Sequence, residues 1–426
     1  MSSKFFLKIF TTAGIMAVTS LVCGNALAGE VPVGTVISKA NLATMEKDTF
    51  QGIPIGNLLT DTQKMWIKDH NLKMKLGKTT EIKVDPAYLD ATKKNAGQAK
   101  FDSSKKTVSN YKAGIPFPNV DVKDPDAGYK LAWNQYYANP VMGDNWIAVG
   151  DVTIVDAKSG TIDRFEANSA KLAMEGRTTG GPSQIGTFGD HAQYLLVLTK
   201  PFDLAGLGIY TKQYSNANTD DAWAYVKSIR RTRRVAGGKS WMDPQPKMDL
   251  LNDDNQAVNC YPLWYKNWKA LEKRWILAVV TGPNPNIKHN YNDYVEQSPP
   301  FWNQANVTWE PREVYVVEAT MPPEHPYSKK ILYQDAKLPF YYQSDMYDRK
   351  GSLWRLWRQT YSPFIAKNGK PGLSFFNTQA IDFQRNRATY IDIVKTQLNN
   401  PEFNEKAFSP EMLSLAGSGG LDKYLK

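Results

Sequence analysis

The chain offers few groups at the spacings that chemistry requires. Gly180-Gly181-Pro182-Ser183-Gln184-Ile185-Gly186 sets a serine among glycines, where a sharp turn could lift its hydroxyl for nucleophilic attack. The spacing is G-x-S-x-x-G, one residue longer than a nucleophile elbow, so a glycine-rich turn between strands is expected there. Gly206-Leu207-Gly208 lacks the third glycine and the following helix of a dinucleotide site. The four histidines, His70, His191, His289 and His325, have no ligand-spaced neighbours, and the zinc and calcium-loop patterns are absent. Asp253-Asp254 and the pair Asp345 and Asp348 are the carboxylates that could take a cation or a proton. Solvated turns are the expected setting for both. No catalytic residue, metal or cofactor is expected, and an enzyme is not the favoured reading.

Binding chemistry is better represented. In Arg230-Arg231-Thr232-Arg233-Arg234, a strand would send Arg231 and Arg233 to one face and Arg230 and Arg234 to the other. Both faces must then be wet, as at a sheet rim. Charge there either protects an edge or presents guanidinium forks to anionic headgroups or a partner's carboxylates. Aromatic residues cluster at Trp264, Tyr265 and Trp268, at Trp302 and Trp309, and at Trp354 and Trp357. Trp354 and Trp357 stand three apart on one strand, which sends them to opposite faces, one inside and one outside. The expected apolar ligand surface is Trp354 with Tyr291, Tyr294, Phe301 and Trp302. Those four belong to a long proline-rich loop, 282–311, expected to close over the same mouth. A closed core is the competing place for Trp354.

These groups need a scaffold, and composition describes one. Of 426 residues, 42% are apolar and 22% charged, enough for a sizeable core and unlike a disordered, collagenous or polytopic membrane chain. Twelve Trp, 22 Tyr and 17 Phe suit strands. From Asn145 the period is two, with strands expected at 145–155 and 161–174. More follow at 191–199, 207–214, 222–235, 273–281, 313–320, 329–335, 339–347, 352–361, 373–383 and 387–395. Short polar turns and no intervening long helices make residues 146–400 an antiparallel β domain in a mainly β, α+β fold.

Residues 29–145 read as a mixed, mostly helical region packing on that sheet. A helix is expected over Asn57–Leu76, capped by Thr60, Asp61 or Thr62 and stopped by Gly77. Asp85-Pro86 opens a second through about Ala99, and Gly97–Asn110 reads as a solvated loop. Residues 401–426 form a tail with a short helix from Ser409-Pro410-Glu411.

The first 28 residues set the compartment. Lys4 and Lys8 precede an uncharged apolar run, Ile9–Cys23, and Ala26-Leu27-Ala28 supplies small residues at −3 and −1. This pattern predicts a signal peptide cleaved before Gly29 and a periplasmic protein, membrane-peripheral at most. Val22 before Cys23 argues against lipidation. The mature chain keeps one thiol, Cys260, so no internal disulfide holds it. The net charge of +10 favours anionic partners, but export removes nucleic acid from that class.

Several ordered stretches carry a resemblance. They are Pro116-Phe117-Pro118 with Trp133-Asn134, Arg230–Val235, Leu250-Leu251-Asn252-Asp253-Asp254, and Arg312–Thr320 leading to His325-Pro326-Tyr327-Ser328-Lys329-Lys330. Asp345–Arg355 closes the set. Over roughly residues 40–395 the chain resembles the domain-of-unknown-function 1329 family, described as similar to outer-membrane lipoprotein-sorting proteins. That resemblance implies a large curved antiparallel sheet, or half-barrel, wrapping helices, as in carriers of lipoprotein acyl chains. It implies genomic association with envelope exporters of the resistance-nodulation-division type, and it supplies no catalytic residues. The expected function is a periplasmic carrier or chaperone for a lipid or other hydrophobic molecule, in contact with an envelope transporter or the outer membrane. The alternatives are a non-enzymatic adaptor of such an exporter and an unorthodox hydrolase of lipids or polymers.

Overall fold

The computed structural model describes residues 29–138, 140–178, 189–226, 230–235, 237–242, 248–405, 408–416 and 420–425. The expected signal peptide and the Gly180–Gly186 turn lie outside them.

Three helices position the site: α1 (Asp61–His70), α2 (Pro86–Lys94) and α3 (Ala127–Tyr137). Thr60 caps α1. Its Oγ1 accepts from Gln63 N at 3.1 Å, and Gln63 Oε1 accepts from Thr60 N at 3.1 Å, satisfying two amides that the helix leaves free. The helix ends at His70 because Asn71 turns left-handed, at φ 56°. Leu72–Leu76 therefore leave the expected helix, and Met74–Lys75 pair with Val36–Ile37 as a short strand. Asp85 caps α2 by accepting from Ala87 N at 3.0 Å, and α2 stops at Lys94 rather than Ala99. The expected loop 97–110 holds a small hairpin, Lys100–Asp102 with Thr107–Ser109.

The strands are β1 (Asn145–Asp156), β2 (Gly160–Ala173), β3 (Asp190–Lys200), β4 (Gly208–Tyr214), β5 (Asp221–Val226) and β6 (Arg231–Val235). After a long connection come β7 (Asn267–Ala278), β8 (Glu310–Thr320), β9 (Lys329–Asp335), β10 (Tyr341–Tyr347), β11 (Leu353–Ile365), β12 (Pro371–Asp382) and β13 (Arg387–Leu398). All join one curved, open, 13-stranded antiparallel sheet in the order β6-β5-β4-β3-β2-β1-β13-β12-β11-β10-β9-β8-β7. Two meanders thus meet at a central seam, where Asp156 faces Arg387 and Trp146 faces Leu398. The expected strand 222–235 is in fact two strands. Arg230 precedes β6 at φ 51° and does not alternate with Arg231.

Adjacent residues on the strands enter different cores, as a pleated strand requires. Leu356 and Ile381 join Trp66, Trp302 and Trp309 on one face, while Trp357 and Ala380 join Trp133, Trp268 and Tyr327 on the other. The loop 282–311 is laid onto the first face. Asn303 accepts from Trp66 Nε1 at 2.8 Å and donates to His70 O at 2.7 Å, and Gln304 donates to Asn377 Oδ1 at 2.9 Å. The β6–β7 connection runs from one edge of the sheet to the other and buries Leu250, Leu251, Val258, Cys260 and Trp264 in the second core. We call it the strap. α3 lies beside it against β7. A Cβ on Gly128 would stand 2.5 Å from the backbone of Trp268 and Lys269, so this approach requires glycine.

Candidate functional site

The motif residues converge on the strap. Lys330 of β9, wholly buried, points its ammonium group between Asp253 Oδ2 at 2.8 Å and Asp254 Oδ1 at 2.9 Å. Its three N–H groups go to Asp253 Oδ2, Asp253 O at 3.2 Å and Ala257 O at 2.9 Å. Asp254 Oδ1 receives charge but no hydrogen bond. Asp253 also accepts from Tyr265 at 2.5 Å and Ser240 at 2.9 Å, and lies 3.2 Å from His325 Nε2. Asp254 accepts from Tyr327 at 2.8 Å and Leu251 N at 2.9 Å. Burial opposes the Asp253 charge, but Lys330 and His325 outweigh it and hold the carboxyl well below the ordinary range. The same balance holds Lys330 above the ordinary lysine value, burial lowering it and Asp253 and Asp254 raising it further.

Asp253 and Asp254 are thus not solvated turn carboxylates. The strap presses them onto the sheet, where Lys330 pairs with both. Asp345 departs in the same way, buried with Thr62, Gln343 and Tyr333 as donors, while Asp348 does sit in an exposed turn. The Lys330 cluster is sealed from solvent and its charges are paired internally, so its role is to clamp the strap.

What the clamp holds in place is a wall. Gln256, Val258, Asn259 and Cys260 of the strap line a small cavity with Tyr194 and Gln213. A second small cavity opens between α2, α3, the end of β2 and the start of β3, with Tyr88, Tyr111 and Tyr137 in its lining. Tyr136, Lys171 and His191 line both. Tyr136 stacks on His191 at 3.8 Å and 12° and donates to Tyr214 O at 2.8 Å. His191 Nδ1 stands 3.1 Å from Glu175 Oε2, which also accepts from Ser215 at 2.9 Å. Burial lowers the His191 pKa against the pull of Glu175, so the imidazole is mainly neutral at pH 7. Burial likewise lowers Lys171 to about 8, with the Asp144 charge opposing. Tyrosines share the lining with polar side chains, which predominate on the strap side in Gln135, Gln213, Gln256 and Asn259.

The expected ligand residues fall elsewhere. Trp302 and Tyr291 are buried on the α1 face, and Tyr294 is half-buried there. Phe301 is half-buried at φ 61°. Trp354 is half-buried against the opposite core, its Nε1 donating to Asp382 Oδ2 at 3.0 Å and its ring 4.4 Å from the Arg355 guanidinium. The loop and Trp354 therefore do not share a mouth, because the sheet separates them. Trp354 and Trp357 also pack against the same core rather than opposite ones. Trp354 is the extra residue of a bulge, between Leu353 opposite Tyr347 and Arg355 opposite Met346, and a bulge breaks alternation. None of the five lines either cavity.

Arg231, Arg233 and Arg234 are exposed on β6, an outer edge of the sheet, and Arg230 is exposed just before it. Arg234 pairs with Asp221. Cys260 is a buried free thiol, raised in pKa by burial.

Sequence reasoning passed over Lys171, His191 and Tyr136. One signal was available: Lys171 is the sole charge in Ala167–Met174, a strand segment otherwise apolar or small and polar.

Residues 36–414 match the family described as "Protein of unknown function (DUF1329)". An uncharacterized protein of Pseudomonas aeruginosa is 25% identical over 282 residues, 64% of this chain and 58% of that protein. The chain thus matches less than two thirds of that relative's length. Among solved structures, a DUF1329 family protein from Desulfovibrio piger aligns at 16% identity and a TM-score of 0.46, over 69% of this chain and 100% of that one. A Vibrio parahaemolyticus domain described as an outer membrane lipoprotein-sorting protein aligns at 14% identity and a TM-score of 0.46, with the same coverage.

Proposed function

We propose that this chain, which belongs to the DUF1329 family, is a carrier or chaperone of the periplasm that holds a hydrophobic molecule, a lipid by preference, beside α3. One observation carries the reading: two small cavities lined by tyrosines and polar side chains meet at a shared wall, clamped from behind by the buried Lys330 cluster. Rigid walls lower the ordering cost of binding. Among the described residues no helix is long and apolar enough to cross a membrane, which accords with a peripheral role. Native mass spectrometry of the protein purified from its own cell envelope tests the proposal. A co-purified lipid mass supports a carrier, whereas turnover of ester substrates would favour the hydrolase alternative and overturn it.

A second reading, an adaptor of an envelope exporter, is favoured by β6. Arg231 and Arg233 pair with β5 through their backbone, and their side chains stand exposed at the outer edge of the sheet with no hydrogen bond or ion pair to a described residue, where forks can grip a partner's carboxylates or anionic headgroups. An apo mass with a membrane protein attached would select it.

A further inference from the structure

We infer that the two cavities form one site whose polar anchor is the Lys171 ammonium group, so that the cargo is an amphiphile carrying a carboxylate or a phosphate on an apolar body. The inference rests on the carrier reading and adds the chemistry of the ligand. Lys171 lies on β2 between Ala170 and Leu172, which are buried in the core on the other face of that strand. Its own side chain points away from them, is 8% exposed and lines both cavities. It makes no hydrogen bond or ion pair with any described residue. The acids nearby are committed elsewhere: Asp144 accepts from Thr178 N at 2.8 and 3.0 Å, and Glu175 is taken by His191 and Ser215.

A buried ammonium without a bonded acceptor is costly, and a methionine would fill the same volume at no such cost. The cation becomes favourable when a bound anion completes it. At pH 7 most of the Lys171 population is still protonated, since its pKa is lowered only to about 8. Tyrosines line both cavities. Their hydroxyls are partly spent on backbone carbonyls, Tyr136 on Tyr214 O and Tyr111 on Tyr137 O at 3.2 Å.

Isothermal titration calorimetry on the delipidated full chain tests this with decanoate, decyl phosphate and decanol as probes. One or both anions should bind about tenfold tighter than decanol, the gain of exchanging a neutral hydrogen bond for a charge-assisted one. The tighter of the two anions distinguishes a fatty acid from a phosphorylated lipid. Lys171→Met should erase the preference, bringing both anions to no more than the affinity of decanol, while Lys171→Arg should keep it. Equal affinity of the wild type for decanol and both anions would overturn the anchor and leave the carrier standing. So would a preference that survives Lys171→Met. Failure of all three probes to bind would overturn the carrier reading with it.

Discussion

Replacing Lys330 by methionine should cost the fold about 3–5 kcal/mol, the loss seen when one partner of a buried ion pair is removed. The structure explains why the cost should be near the top of that range. The ammonium group serves two wholly buried carboxylates at 2.8 and 2.9 Å. It also serves the carbonyl oxygens of Asp253 and Ala257. Methionine has similar bulk, so the loss is electrostatic rather than a cavity. The pH dependence carries the stronger test. Asp253 is held below its unfolded value, so its contribution is present above the unfolded pKa, near 4, and is lost as pH falls below it. Without Lys330, buried Asp253 and Asp254 should instead take up protons readily. The deficit of the variant should therefore be largest at pH 7 and shrink toward pH 3. Urea unfolding followed by tryptophan fluorescence at both ends of that range measures it. Adding Asp253→Asn to Lys330→Met should recover at least about 1 kcal/mol, since coupled partners are not additive. A loss below about 1 kcal/mol at pH 7, or a deficit independent of pH, would refute the reading of the cluster as a sealed clamp.

Asp392 is buried, its Oδ2 without a partner among the described residues, and burial raises its pKa to about 7. A raised carboxylate makes the native state lose stability as pH climbs from about 4 to 7, so Asp392→Asn should gain a few kcal/mol at pH 8 relative to pH 4, read by denaturation at each pH. Trp302→Ala should cost about 3–5 kcal/mol as a buried large-to-small change. Trp354→Ala should cost less, because that ring is only half-buried, and equal thermal shifts would contradict the placement. Arg231→Glu/Arg233→Glu should leave stability within about half a kcal/mol. The same pair should weaken flotation with anionic vesicles or capture of an envelope partner. Unchanged association would leave only edge protection to these arginines.

Strands were legible because their period is local. Each of the twelve expected strand stretches overlaps a strand of the sheet, and turn residues such as Lys158-Ser159-Gly160 separate them. The helices were read less well. Asn71 ended α1 through a left-handed turn that the apolar spacing of Leu72 and Leu76 did not reveal. The site was illegible for a different reason. Lys330 stands 77 residues from Asp253 and meets it only through the strap. A pair so separated has no spacing rule. Trp354 was misplaced by one bulge, because a single extra residue reverses a face.

The central seam has a consequence for how the chain reaches this state. β1 precedes every other strand of the sheet, but its second neighbour, β13, is the last strand synthesised. Until then one side of a 12-residue strand, beginning Asn145-Trp146-Ile147-Ala148-Val149-Gly150, has an open row of amides and carbonyls and no charge before Asp151. The permanent edges differ: β6 carries Arg231, Arg233 and Arg234, and β7 carries Lys269, Glu272, Lys273 and Arg274. Charge thus guards the edges that last, while the edge that is transient is bare. Zipping it closes a contact of very long range, which slows folding and prolongs exposure to aggregation. A chain truncated before β13 would keep that bare edge for good, and its fate should be association with other copies rather than a smaller folded sheet.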